Sequence, residues 1–219
     1  MKRTITFLLL ICTFWGVSAQ NQQENNINAD FSRIIVHENR FDKLIDLAKS
    51  YMETNPEFAF NCAYKADEIA NQTNDKKKQA YSKITIGDIF NINNFYSLSV
   101  SYYENAVKEL LSINDYNTIN KIYIKIAKLY QNNEIDSKWS IEAMENAINY
   151  AKMTNDQNII IKTEIAYAEI LTIQENYKDA LKHYNNILQY NIDDNTIDAI
   201  AKTLTSIANI KSTEKKFHE

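Results

Sequence analysis

Apolar residues along this chain recur at the three- and four-residue steps of helix faces, and short breaks rich in Asn and Asp divide them into units. Gly87 is followed by Phe90, Tyr96, Ser99, Tyr103 and Ala106; Ala168, Leu171, Tyr177, Ala180, Tyr184 and Ile187 repeat those spacings without a gap. Ala127 and Tyr130 begin another copy, which regains register one residue late at Ser140, Met144 and Ala147. A weaker first copy runs Leu47, Ser50, Pro56, Ala59, Ala63, Ala66, and a final one shows Ala208, Lys211 and Phe217. Alternating small and large residues at fixed places is a packing pattern. Gly87, Ala127, Ala168 and Ala208 let two helices approach, and Tyr96, Tyr103, Tyr177 and Tyr184 fill the space between them.

The breaks have a mechanism of their own. Thr73-Asn74-Asp75, Ile113-Asn114-Asp115, Thr154-Asn155-Asp156 and Ile192-Asp193-Asp194 place aspartates 40, 41 and 38 residues apart. Asn and Asp in such junctions end one helix and cap the next with a side-chain oxygen. The pattern predicts first helices at 40–53, 75–93, 115–132, 156–174 and 194–211, and second helices at 56–71, 95–112, 137–153 and 177–190. After the fifth first helix, Thr213 to Glu219 reads as the beginning of a second, so the array counts about four and a half units. One helix pair cannot bury its apolar stripe alone, so pairs must stack.

This organisation resembles the tetratricopeptide repeat (TPR) family, in its long-period form of about 40 residues per unit. The resemblance covers Arg40 to Glu219. It implies an all-α, right-handed α-solenoid of antiparallel helix pairs whose first helices line a concave groove that binds protein segments. Two departures stand out. The proline that usually closes each repeat is replaced by the Asn/Asp junctions, and Leu47 stands where the first unit needs a small residue. The carboxylate clamp of chaperone-binding members is not matched either, because Ile84 and Asp88 stand where it would require lysine and asparagine.

On the face that the resemblance assigns to the groove, Lys121, Lys162 and Lys202 hold one place in three consecutive units. Asp88, Lys128, Glu169 and Asn209 follow further along the same face. Together these seven residues are the candidate partner-binding positions, and the lysine ladder favours an acidic peptide. The open end adds a second expectation. Leu204, Ile207 and Ala208 would normally meet the missing second helix, which points to self-association through the C-terminal end.

Composition narrows the function classes. The net charge of −4, made more acidic by loss of a leader carrying Lys2 and Arg3, disfavours nucleic acid and anionic lipid as partners. With 2 glycines and 1 proline in 219 residues, tight turns and phosphate-cradling loops have almost no material. Residues 1–19 read as a bacterial signal peptide: Lys2-Arg3, an apolar stretch from Ile5 to Val17, and the Val17-Ser18-Ala19 cleavage pattern before Gln20. The apolar run is short for a membrane span, and Ile11 is bulky for a residue preceding a lipid-accepting Cys12. Cleavage leaves an exported, periplasmic or secreted chain with no stable span. Residues 20–39 read as a flexible lead-in, with Phe31 to Val36 as a short capping helix.

Chemistry is scarce. Cys62 is left alone after cleavage and sits in an apolar helical context, so it reads as a buried small hydrophobe. His37, His183 and His218 lie in different parts of the chain without a carboxylate or second histidine at ligand spacing, so no metal site is expected. No nucleophile elbow, Cys-His pair or phosphate loop is present, and neither a catalytic group nor a cofactor is expected. The expectation is a non-enzymatic scaffold for protein–protein interaction. The alternative is the periplasmic sensory part of a membrane-bound regulator or kinase whose output domain lies outside this chain.

Overall fold

A computed structural model describes residues 40–133, 135, 137–190 and 197–218; the expected signal peptide and lead-in lie outside these residues. Nine helices and no strand make up the described part. They are α1 (Arg40–Tyr51), α2 (Pro56–Gln72), α3 (Lys76–Ile92), α4 (Tyr96–Leu111), α5 (Tyr116–Asn132), α6 (Ser137–Met153), α7 (Gln157–Ile173), α8 (Tyr177–Ile187) and α9 (Ile197–His218). The first eight fall within a few residues of the spans predicted from the spacing.

Three of the expected junctions act as the sequence suggested, and the fourth, Ile192-Asp193-Asp194, lies outside the described residues. Asn74, Asn94, Asn114 and Asn155 all adopt positive φ, between 50° and 65°, the left-handed conformation that turns the chain out of a helix. Asp75, Asp115 and Asp156 then cap α3, α5 and α7, accepting the backbone N–H groups of Lys78, Thr118 and Ile159 respectively. Asn55 does the same for α2, whose first residue is Pro56, the one helical position where proline's missing N–H costs nothing. At the α7–α8 junction the place of Asn is taken by Glu175, at φ 60°. A β-carbon is disfavoured there, and Asn relieves the conformation through its own local hydrogen bonding. Glu175→Asn is therefore expected to stabilise the fold by about 0.5–1 kcal/mol. A melting temperature unchanged or lowered would contradict this.

Packing follows the small–large code. Gly87 has no room for a side chain: a β-carbon built there would lie 2.7 Å from the Tyr103 ring. Tyr103 and Tyr184 are 1 % and 2 % exposed, and Ala127, Ala168, Ser99, Ser140, Met144, Ala147 and Ala180 are fully buried. The third unit's late register is thus real, and the longer connection after α5 absorbs its extra residue. Tyr96 and Tyr177 are half-buried against the same core. In α2 the run Ala59, Ala63, Ala66 is fully buried beside Cys62, whose thiol burial pushes up to about 12. A thiol held neutral in this way is unreactive.

Two expectations need correction. In α1 the fully buried small residue is Ala48, one place later than the spacing marks, while Leu47 is half-buried at the edge of the core. Among the described residues no helix precedes α1 to hold it in the common register. At the other end, Thr213 does not start a second helix, because α9 runs unbroken from Ile197 to His218. No glycine, proline or Asn-Asp pair interrupts that stretch, and the Thr213 hydroxyl donates to the Asn209 carbonyl one turn back, as in the body of a helix.

Helix pairs stack in chain order, and the stacking is one-sided. Across unit boundaries α1 packs on α3, α5 on α7 and α7 on α9, while α3 and α5 meet less closely, and no two second helices make a comparable contact. The first helices therefore form the tighter side of the solenoid, and the second helices splay apart on the other.

Candidate functional site

The tighter side carries all seven candidate positions. Lys121 and Lys128 lie on α5, Lys162 and Glu169 on α7, Lys202 and Asn209 on α9, and Asp88 on α3. Lys121, Lys128, Lys162, Lys202 and Asn209 are exposed, and Asp88 and Glu169 are partly so. Their side chains leave the same face because steps of seven residues return to the same side of a helix.

Contacts divide these residues into two groups. Lys125 on α5 donates to both oxygens of Asp88 at 2.5 and 2.7 Å, and Lys202 on α9 pairs with Glu169 at 2.5 Å. The hydrogen bond to Glu169 raises the Lys202 ammonium above the usual lysine range. Asp88 also accepts the Tyr103 hydroxyl at 2.5 Å, and burial, followed by this carboxylate, holds Tyr103 far above the ordinary phenol range. By contrast, Lys121, Lys128 and Lys162 form no ion pair among the described residues. Ion pairs this exposed add about 0–1 kcal/mol each, so their main effect is on the charge pattern. Asp88 on α3 and Glu169 on α7 are thus neutralised, and Lys121, Lys128 and Lys162 leave positive charge on α5 and α7.

No family model matches the chain, and no curated protein matches it. Solved structures do. BtubC (BKLC) from P. vanneervenii is 15 % identical over 78 % of each chain, with a TM-score of 0.54. A putative kinesin light chain with nearly identical TPR-like repeats, from Podosopora anserina, is 12 % identical over 84 % of this chain and 94 % of its own, with a TM-score of 0.58. A Rap protein complexed with competence and sporulation factor covers 90 % of this chain, which spans 59 % of it, at 15 % identity and a TM-score of 0.53. The fold is a TPR-like α-solenoid.

Within the TPR-like frame, the residue that sequence reasoning missed on the first-helix face is Lys125. The ladder was sought at one full repeat, but Lys125 and Asp88 are 37 residues apart and Lys202 and Glu169 are 33. Neighbouring first helices meet one or two turns out of register, so a search at the repeat length minus one or two turns would have found both pairs.

The second-helix side corrects a further expectation. His183 on α8 does have a carboxylate partner: its Nδ1 lies 2.5 Å from Glu164 Oε2 on α7, and Glu164 is only 5 % exposed. The two are 19 residues apart, a separation that brings them together only across a helix pair. Tyr167 lies against the imidazole, with ring centroids 4.2 Å apart. Burial raises its hydroxyl to about 12, with Glu145, Asp179 and Glu164 adding to the shift. Among the described residues, no group of three or more His, Cys, Asp or Glu is placed to hold a metal ion, and no helix is long and apolar enough to cross a membrane.

Proposed function

We propose that this chain is a non-enzymatic interaction scaffold that holds an acidic protein segment along its first-helix face. The observation carrying this reading is the trio Lys121, Lys128 and Lys162, exposed on adjacent helices without a carboxylate partner among the described residues, flanked by acids that Lys125 and Lys202 neutralise. A segment laid across α5 and α7 meets positive charge that no ion pair among the described residues satisfies, and the flanking pairs give no competing negative field. The Rap structure, with its bound factor, supports the view that a fold of this kind can hold a partner.

Replacing Lys121, Lys128 and Lys162 together by serine is expected to weaken binding of a Glu/Asp-rich peptide probe about tenfold or more and to flatten its salt dependence. Melting should barely move, because exposed substitutions cost little. Equal affinity of the native and triply substituted proteins across a salt series would remove the support for this site.

We also place the protein outside the cytoplasm, as an exported long-period bacterial TPR protein. Support comes from the Lys2-Arg3 and Val17-Ser18-Ala19 signals. N-terminal sequencing of the exported form is expected to begin at Gln20. A mature chain that retains residues 1–19 would contradict that.

A further inference from the structure

The splayed side of the solenoid offers three successive grooves, each between neighbouring second helices and floored by a first helix. The first, between α2 and α4 over α3, is bridged by charge: Lys83 reaches Asp67 at 3.3 Å and Glu109 at 3.5 Å, and Lys76 reaches Glu109 at 2.8 Å. The hydrogen bond from Lys76 is the main reason the Glu109 carboxyl sits below its ordinary range. Over α5 the corresponding place is filled by rings, with Tyr123 stacked on Tyr150 at 5.6 Å and Tyr116 on Tyr150 at 6.3 Å. Over α7 the equivalent of Lys83 and Tyr123 is Glu164, which turns aside to His183, and the groove stays open as a cleft of about 510 Å³.

The lining of this third groove is built for a particular kind of group. Its floor is Tyr167 and His183, whose rings lie 4.2 Å apart and tilted by 36°. Ile141, Ile148 and Leu171 supply apolar wall, and Glu145 and Asp179 stand at the sides with Lys182. Glu145 comes from α6 and Asp179 from α8, so a carboxylate lines the cleft from each of its two walls. Aromatic faces attract a planar cation, carboxylates bind it through paired hydrogen bonds, and an aliphatic wall suits a hydrocarbon stem. The Glu164 carboxylate beneath is already engaged by His183 and one Asp179 oxygen accepts the Asn176 amide, which leaves Glu145 and the other Asp179 oxygen to meet the incoming charge.

We infer that the cleft between α6 and α8 binds an alkyl guanidinium, the side chain of arginine. This site is separate from the acidic-segment face proposed above and stands or falls without it. The source can be an arginine within a protein segment or free arginine, and the test separates the two.

The intact folded chain would be titrated by NMR with a short neutral peptide containing one arginine, with the same peptide carrying citrulline, and with free arginine. Perturbed resonances at Tyr167 and His183 with the arginine peptide, and at least about tenfold weaker binding of the neutral citrulline peptide, are expected. Binding by free arginine as tight as by the peptide would support the cleft chemistry and identify the amino acid as the source; binding by the peptide alone would identify a protein segment. Glu145→Gln, which removes one exposed carboxylate, should weaken arginine binding about tenfold while leaving the helical spectrum and melting unchanged. Asp179→Asn keeps an oxygen for the amide of Asn176 and should act in the same direction. Equal binding of the arginine and citrulline peptides, or no response at Tyr167 and His183 in a folded sample, would overturn the assignment.

Discussion

Tyr103→Ala is expected to lower the stability of the folded chain by about 3–5 kcal/mol. The ring is 1 % exposed and covers Gly87, whose missing β-carbon leaves the space that the ring occupies. Truncation leaves a hole where two helices approach most closely, and helices joined by short connections cannot collapse freely to fill it. It also takes the phenol away from Asp88, leaving Lys125 as that carboxylate's remaining hydrogen-bond donor among the described residues. Tyr103→Phe separates the two contributions. It keeps the ring and loses only the hydroxyl, so a loss of about 1 kcal/mol is expected. Urea unfolding followed by circular dichroism measures both. A Tyr103→Ala loss no larger than that of Tyr103→Phe would mean that the ring does not hold the α3–α4 pair together.

The second large effect is expected at Ala168. It is fully buried on α7, and Tyr184, 2 % exposed, holds in α8 the place that Tyr103 holds in α4. Ala168→Leu adds three carbons at a site with no space, and overpacking of this kind costs about 1–3 kcal/mol. In a chain of this size that is a fall in melting temperature of roughly 2–4 °C per kcal/mol. The loss cannot be assigned to helix propensity, since leucine forms helices nearly as well as alanine.

The fold was largely legible because its rules are local or repeated. The Asn-Asp pairs announce helix ends through the backbone conformation of one residue and the cap of the next. The small–large spacing announces which residues meet, because each unit reuses the same contact. Where the repeat logic lapses, the reading lapsed too. Ala48 takes the place assigned to Leu47 in the first described unit, and α9 runs on through Thr213 for want of a stop signal.

The first-helix face was legible as a row of lysines but not as a charge balance. Lys125–Asp88 and Lys202–Glu169 depend on how far neighbouring helices are offset, which repeat spacing does not state. The Glu164–His183 pair was hidden for a related reason. A buried carboxylate reads as a surface residue until the neighbouring helix supplies its partner.

The units are equivalent, and burial at the small position comes from the helix stacked over it. Ala208 on α9 tests this within the same molecule. It occupies the place of Gly87, Ala127 and Ala168, yet it is exposed, and Leu204 beside it is 52 % exposed. The decisive measurement is the change in unfolding free energy for Ala168→Leu and Ala208→Leu, made separately and compared under one set of conditions. A loss of about 1–3 kcal/mol is expected at Ala168 and a change within about 0.5 kcal/mol at Ala208. Equal losses at the two positions, or a larger loss at Ala208, would contradict it.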